Sequence, residues 1–188
     1  MRRPVCWLVV GLLLIGAGAA TWHFANRERA DLPPGLIEAV RSADRVTLYE
    51  GLPHQDYEAS LLASERATHP VLELGGFPFY ERPVSWRADD TEQLATWLTD
   101  PLGITTRHAG WGSCGSFHPD YALVWDGPAG RAVALVCLTC GEVRLVGTAD
   151  PAGTLYRLGR RRDEVRNVLG EYREQRPPFY RIWENAIR

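Results

Sequence analysis

Three cysteines and one histidine carry the thiol and metal-binding chemistry of the chain outside its N-terminal apolar segment. Cys114 and His118 lie in the sequence Cys-Gly-Ser-Phe-His, and Cys137 and Cys140 in Cys-Leu-Thr-Cys-Gly. A Cys-x-x-Cys-Gly turn between two strands directs both sulfurs to one side, and a preceding loop can supply two further ligands. The four residues therefore predict a closed, structural zinc site, and zinc is the one cofactor that the sequence suggests.

A disulfide is the alternative use of the same thiols. Cys114 paired with Cys137 or Cys140 would tie the glycine-rich loop to the hairpin and stabilise the fold by about 2–4 kcal/mol. A local Cys137–Cys140 bridge would form a redox pair, but its place between strands, away from a helix N-terminus, disfavours that chemistry. A third interpretation is that the cysteines are free and act as small buried hydrophobes. Zinc, disulfide and free thiols all stay open.

His54, His118 and Asp120 are the candidate catalytic residues. His54 lies in a loop near Glu50 and Glu58, and histidine beside carboxylates can perform acid–base catalysis. Asp120 lies two positions after His118 and is placed to orient its ring. Polar residues also collect in loops, and no nucleophile elbow, phosphate-binding loop or His-Glu-x-x-His motif is present. Whether the protein is an enzyme is therefore left open.

The N-terminal segment predicts export. Residues 5–20 carry no charge, and a spanning helix needs about 20 mostly apolar residues. Arg2 and Arg3 precede the segment and favour a cytoplasmic N-terminus. We predict a signal anchor or transmembrane segment over 1–24, a linker over 25–34 and an extracytoplasmic domain over 35–188 of a single-pass cell-membrane protein. The alternative is secretion after cleavage of a signal peptide, since Ala17-Gly18-Ala19 resembles a cleavage site.

The composition predicts a folded domain with no affinity for nucleic acid. Hydrophobic residues make up 45% and charged residues 23% of the 188 residues, and the net charge is −2. The membrane, reached through the N-terminal helix, is the one partner that the sequence predicts, and it identifies no protein partner. Export also matters for the cysteines, because exported compartments permit disulfides.

Hydrophobic periodicity predicts an α+β fold. Alternating or β-branched stretches predict strands at 45–49, 71–74, 121–125, 131–136 and 143–146. Helical spacing predicts helices at 35–42, at 56–66 with Asp56 as the cap, after an Asp90–Gln93 capping box, and at 161–175, with a short turn at 179–187. The expected architecture is a small antiparallel sheet with flanking helices, preceded by one N-terminal transmembrane or signal helix.

Four short motifs, in this order, resemble a family of uncharacterised bacterial proteins, a domain of unknown function. They are Tyr49-Glu-Gly-Leu-Pro-His54, Phe77-Pro-Phe-Tyr80, Cys114-Gly-Ser-Phe-His-Pro-Asp-Tyr121 and Cys137-Leu-Thr-Cys-Gly-Glu142. The resemblance spans residues 46–177 and implies a shared domain, but it carries over no activity and no catalytic residue. It is compatible with one common site formed by Tyr49, His54, Phe79, Cys114, His118 and Cys140.

The expected function is that of a membrane-anchored extracytoplasmic module that is not catalytic and is stabilised by its Cys/His cluster. The alternative is an enzyme with a metal- or thiol-containing site around Cys114, His118 and His54.

Overall fold

The computed structural model describes residues 30, 32, 34–100, 103–106, 117–147 and 150–177. The predicted membrane segment, Cys114 and the predicted turn at 179–187 lie outside these residues. None of the helices that the structure describes is long and apolar enough to cross a membrane.

An antiparallel sheet of six strands forms the centre of the described structure. Its spatial order is β1-β5-β6-β7-β8-β4. The strands are β1 (Arg45–Glu50), β4 (Thr105–Thr106), β5 (Tyr121–Gly127), β6 (Gly130–Cys137), β7 (Glu142–Gly147) and β8 (Asp150–Arg157). A separate hairpin is formed by β2 (Val71–Leu74) and β3 (Phe77–Tyr80). Strands and helices in this arrangement confirm the α+β class.

Alternating apolar side chains give the sheet two buried faces. One face packs against α1 (Pro34–Arg41), α3 (Ala88–Thr99) and α4 (Arg162–Gly170), which contribute Leu36, Leu94, Leu98, Val165 and Leu169 to the larger core. The other face carries Val124, Val133 and Leu135 and is covered by Leu74 and Phe79 of the hairpin. Successive residues of a strand point to opposite faces of the sheet. A sheet that packs against an apolar core on each face therefore needs strands that are apolar on both faces, and β5 and β6 are such strands.

All five predicted strands are confirmed, but β3, β4 and β8 were not predicted. Pro151 and Gly153 suggest a loop, yet both lie within β8. Gly153 has a φ of +73°, and the pairing of β7 with β8 shifts register between Leu145 and Gly147. A strand with such an irregularity tolerates residues that interrupt a regular one. Gly141, in the β6–β7 turn, has a positive φ of +64°.

Both predicted helix caps are wrong. Helix α2 (Ala59–Thr68) has Glu58 at its N-cap, because the residues around Asp56 form a turn in which the Asp56 N–H donates to His54 Nδ1. Helix α3 has Arg87 at its N-cap, which places Asp90 inside the first turn. The Asp90 carboxylate binds the Arg87 side chain and the Tyr172 hydroxyl and so is not available to cap the helix.

The last helix is shorter than predicted and is followed by an irregular segment. Helix α4 ends at Gly170, although Tyr172 continues the helical spacing of apolar residues. Tyr172 is buried, and its hydroxyl donates to Asp90 of α3. We call residues 171–177 the C-terminal strap, since they run across the body of the domain.

Candidate functional site

Five polar side chains meet in the interior of the domain, and we call them the His/Arg cluster. They are 5–9% exposed: His54, Glu58, His118, Asp120 and Arg176. They come from four separate parts of the chain. His54 follows β1, Glu58 precedes α2, His118 and Asp120 precede β5, and Arg176 lies on the strap. The sheet aligns the first four residues because β1 and β5 are neighbours.

Gly51 allows these two segments to approach. Its N–H donates to Asp120 O at 2.8 Å. A Cβ at this position would lie 2.3 Å from Pro119 O, closer than atoms can pack. Glycine at position 51 therefore lets the loop of His54 lie directly against the loop of His118 and Asp120.

Arg176 compensates the two carboxylates of the cluster. Its Nη1 donates to Asp120 Oδ1 at 3.1 Å, and its Nη2 donates to Glu58 Oε2 at 2.5 Å. Asp120 Oδ2 accepts from Leu138 N at 2.8 Å, and Glu58 Oε2 also accepts from His54 N at 2.7 Å. A buried charge is tolerated when it is paired and hydrogen-bonded in this way.

The two histidines are in direct contact, with ring centroids 4.4 Å apart. His118 Nε2 lies 3.0 Å from Leu52 O and must carry the proton, because a carbonyl oxygen only accepts. His54 Nδ1 accepts from Asp56 N at 3.0 Å, so the proton of a neutral His54 is on Nε2. That Nε2 is buried, and none of the residues that the structure describes gives it a hydrogen-bond partner.

Burial keeps both histidines neutral at pH 7. Desolvation lowers the pKa of His118 to about 4, with smaller effects of the neighbouring His54 and Arg176. Desolvation also lowers the pKa of His54, against the opposing attraction of Asp56 and Glu58. The proton of each imidazolium would have to enter an apolar interior that already contains a guanidinium.

The C-terminal strap brings Arg176 into the cluster. The backbone N–H groups of Glu174 and Gln175 donate to Glu50 Oε2 at 3.1 and 2.7 Å. The Gln175 side chain exchanges two hydrogen bonds with Arg82, at 3.2 and 2.9 Å. The hydrogen bond from the Tyr172 hydroxyl to Asp90 holds the beginning of the strap. The contacts with Glu50 and Arg82 hold residues 174 and 175, next to Arg176.

The two described cysteines differ in state. Cys137 is a free, buried thiol whose Sγ accepts from Cys140 N at 3.2 Å. Burial raises the pKa of the Cys137 thiol to about 11, so it is protonated at neutral pH. Cys140 is not a free thiol. The predicted bridges Cys114–Cys137 and Cys137–Cys140 are therefore wrong, because both require Cys137.

The structure brings the three candidate catalytic residues, His54, His118 and Asp120, together in the His/Arg cluster, with Glu58 beside His54 as predicted. Asp120 binds Leu138 and Arg176, and so it does not orient the His118 ring. Tyr49 and Phe79 pack in the apolar cluster under the hairpin. Arg176 was missed altogether, because one arginine beside a helix stop gives no signal in a chain whose basic residues are all arginine.

Within the described residues, no group of three His, Cys, Asp or Glu side chains is placed to hold a metal ion. Cys114 lies outside those residues, so the four-ligand zinc site of Cys114, His118, Cys137 and Cys140 stays a prediction. Comparison of the chain with protein-family models, curated proteins and solved structures finds no match. The resemblance to an uncharacterised bacterial family also stays a prediction.

Proposed function

We propose that the chain is a membrane-anchored, extracytoplasmic α+β module in which the buried polar residues stabilise the fold and do not catalyse a reaction. The observation that carries this proposal is the internal pairing of the His/Arg cluster. Arg176 is bound by both carboxylates, and His118 Nε2 is bound to a backbone carbonyl. A general acid or base needs access to substrate and a pKa near the working pH, and neither buried histidine has both.

Chemical modification separates a structural cluster from a catalytic one. Diethyl pyrocarbonate acylates accessible imidazoles, and the modified peptides are identified by mass spectrometry. We expect His69, with 48% of its side chain exposed, to react in the folded protein, and His54 and His118 to react only after unfolding. Rapid modification of His54 would contradict the structural role.

The alternative function, an enzyme, rests on one observation. Among the described residues the buried Nε2–H of His54 has no acceptor, which is the state of a group that awaits a substrate oxygen. Rapid acylation of His54 in the experiment above, suppressed by a carbonyl or carboxylate compound, would favour the enzyme.

Export is supported by the uncharged stretch at 5–20 that follows Arg2 and Arg3. Alkaline phosphatase fused after residue 188 tests it in bacterial cells, because this reporter needs disulfides that form outside the cytoplasm. We expect an active reporter in the full chain and an inactive one when residues 1–24 are deleted. Equal activity of the two fusions would contradict the proposed location.

For the cysteines we propose a Cys114–Cys140 disulfide in place of zinc. The described residues of the predicted zinc site support the disulfide. Cys140 is not a free thiol, burial keeps Cys137 protonated, and His118 Nε2 is hydrogen-bonded to Leu52 O. The protein has four cysteines. Alkylation in urea without reductant should therefore label two of them, Cys6 and Cys137, and labelling after reduction should reach all four.

Metal analysis of the same sample completes the test. We expect no zinc at stoichiometric level. One zinc per chain, with thiols that become reactive on chelation, would establish the four-ligand site. Four reactive thiols and no metal would contradict both the disulfide and the zinc site.

A further inference from the structure

A second group of side chains, on the face of the sheet that carries the hairpin, combines one arginine with two aromatic rings. The guanidinium carbon of Arg144 lies 5.3 Å from the centre of the Phe77 ring and 5.0 Å from that of the Phe117 ring. The two rings meet edge to face, with centroids 5.5 Å apart. We call Phe77, Phe117 and Arg144 the arginine–aromatic patch. A cation within about 6 Å of a ring centroid is attracted to the ring, so the two rings hold the guanidinium in place.

Three parts of the chain supply the patch. Phe77 is the first residue of β3, Phe117 precedes β5, and Arg144 lies within β7. Arg144 is paired across the sheet with Leu135 of β6 and Leu155 of β8. Phe77 and Phe117 pack on the apolar cluster under the hairpin. The sheet and the hairpin therefore give the patch a preformed shape, as ligand sites usually have.

Gly153 leaves the space that the aliphatic part of Arg144 occupies. A Cβ at position 153 would lie 2.9 Å from Arg144 Cγ and 2.7 Å from Val146 Cγ2. The backbone of Gly153 has a φ of +73°, which glycine adopts without strain. Strand β8 can therefore lie directly against the arginine stem, which leaves the charged end at the two rings.

The structure gives Arg144 two aromatic contacts but, among the residues that it describes, no carboxylate partner. Arg144 is half-buried, and within the same residues its buried Nε–H has no acceptor. Other arginines of the fold are bound by oxygen: Arg176 by two carboxylates, and Arg162 and Arg166 by backbone carbonyls. A cation that is removed from water without an acceptor is unfavourable, and a bound anion relieves this.

The surroundings of the guanidinium favour an apolar body beside the negative charge of a ligand. Val146 follows Arg144 on the same face of β7 and is half-buried. Leu72 packs against the same apolar cluster. A single guanidinium balances one negative charge and matches the two oxygens of a carboxylate, whereas phosphate sites combine several donors.

We propose that the arginine–aromatic patch binds a monocarboxylate that carries an apolar or aromatic body. The carboxylate accepts from both Nη groups of Arg144, and the body packs on Phe77 and Phe117. An aromatic acid and the C-terminus of a peptide that ends in an apolar residue share this chemistry. The site goes beyond the structural role proposed above, because a module without catalytic residues can still bind a ligand.

Ligand-observed fluorine NMR on the full chain in detergent measures the binding. The probes are N-acetyl-4-fluorophenylalanine, its neutral primary amide and 4-fluorobenzoate, and each is also titrated into protein-free micelles. For ligands of this size we expect the carboxylate probes to bind with a Kd of about 0.1–1 mM. The amide should bind at least about 10-fold more weakly than its parent acid, because it lacks the charge that pairs with the guanidinium.

Comparison of the two acids distinguishes the sources of the ligand. Tighter binding of N-acetyl-4-fluorophenylalanine would assign the site to a peptide C-terminus, and tighter binding of 4-fluorobenzoate would assign it to a free aromatic acid. Acetate, which has the charge but not the body, should compete at least about 10-fold less well than either acid. Inorganic phosphate should compete no better than acetate.

Variants identify the groups responsible. Arg144→Gln should weaken binding of both acids at least about 10-fold and leave binding of the amide unchanged. Phe117→Leu should weaken binding of the two fluorinated acids more than that of acetate, because it removes a ring and retains the guanidinium. Urea unfolding followed by tryptophan fluorescence verifies that each variant is folded.

Arg161→Gln is the matched control. Arg161 also lies over an aromatic ring, 5.8 Å from the centre of Trp97, but it is already paired with Glu164 at 3.2 Å. This variant should bind every probe like the natural chain.

Equal affinity for the acid and its amide in the natural chain would overturn the proposal, and this result depends on no variant. Full affinity in folded Arg144→Gln would also overturn it, as would phosphate that competes better than acetate, since the site would then take anions in general. None of these results bears on export, on the disulfide or on the His/Arg cluster. Those are tested by the reporter fusion, the thiol count and the histidine modification.

Discussion

At the scale of single residues, Arg176 has the widest consequences because two buried carboxylates depend on it. It is 5% exposed, and its guanidinium is the cation that Glu58 and Asp120 share. The sequence could predict the polar character of His54, Glu58, His118 and Asp120 but not their meeting. Their meeting requires the pairing of β1 with β5 and the strap, which brings the chain back to the site. No local sequence pattern predicts either feature.

Replacement of Arg176 tests this dependence. Arg176→Met should lower the free energy of unfolding by about 3–5 kcal/mol at pH 7, because both carboxylates lose their counter-ion inside the protein. Urea unfolding followed by tryptophan fluorescence measures it. The combined variant Glu58→Gln, Asp120→Asn, Arg176→Met should be more stable than Arg176→Met alone, since neutral amides replace the uncompensated charges.

The control for Arg176 is an exposed arginine with the same type of partner. Arg45 binds Asp126 at 3.2 Å, with 71% of its side chain exposed, and Asp126 also binds Arg131 at 2.7 Å. Arg45→Met should cost less than about 1 kcal/mol. Equal losses for the two variants would show that Arg176 is no more important than a surface ion pair.

Cys137 should be an unreactive thiol in the folded protein. Burial raises its pKa from 9.0 to about 11, which reduces the thiolate fraction by about 100-fold near pH 8. In a Cys6→Ser background, we expect DTNB to react with Cys137 at least about 100-fold more slowly in the native protein than in the urea-unfolded one. A native rate close to the unfolded rate would mean that Cys137 is accessible.

At the scale of elements, sequence periodicity predicted regular segments well and their ends poorly. Strands β1, β2, β5, β6 and β7 follow from local alternation or apolar runs, which depend on neighbouring residues alone. The end of α4 does not follow from the local sequence. Tyr172 fits the helical spacing, but its hydroxyl binds Asp90, a residue of another helix. Strand β8 was missed for a related reason. Its proline and glycine disfavour a strand, and it forms because it pairs with β7, which the local sequence of β8 does not reveal.

Gly51, where the loop of His54 contacts the loop of His118 and Asp120, gives a prediction at the scale of elements. Gly51→Ala should lower the free energy of unfolding by about 1–3 kcal/mol, because its Cβ would meet a backbone carbonyl at 2.3 Å. Gly35→Ala is the matched control, as nothing lies within 4 Å of its Cβ position on α1. There alanine should stabilise by about 0.5–1 kcal/mol through its helix propensity. A neutral Gly51→Ala variant would show that the loops have room to separate.

At the scale of the whole molecule, stability should fall in acid in two separate steps. His54 and His118 have lowered pKa values, so their contribution is complete above the unfolded value of 6.5 and is lost as the pH falls toward about 4. His118 alone accounts for about 2 kcal/mol between pH 7 and pH 5. Asp90 and Asp126, whose pKa values are also lowered, lose their contribution only below their unfolded value of 3.8.

Urea unfolding at pH 7, 6 and 5 measures the first step. The natural chain should lose stability steadily, and the His54→Asn, His118→Gln variant should show a flatter profile over the same range. Glu50 acts in the opposite sense, because a raised pKa makes its protonation favourable to the folded state. A natural chain equally stable at pH 7 and pH 5 would contradict the neutral, buried state of the histidines.

The position of Arg176 along the chain also sets an order of events during synthesis. It follows Glu58 by 118 residues and Asp120 by 56 residues, and every strand of the sheet is translated before it. A nascent chain that has emerged only as far as α4 therefore contains the complete sheet but lacks the cation that its interior requires. Such a chain should reach its full stability only once the strap has emerged, a delay that suits a protein that we propose to cross a membrane unfolded.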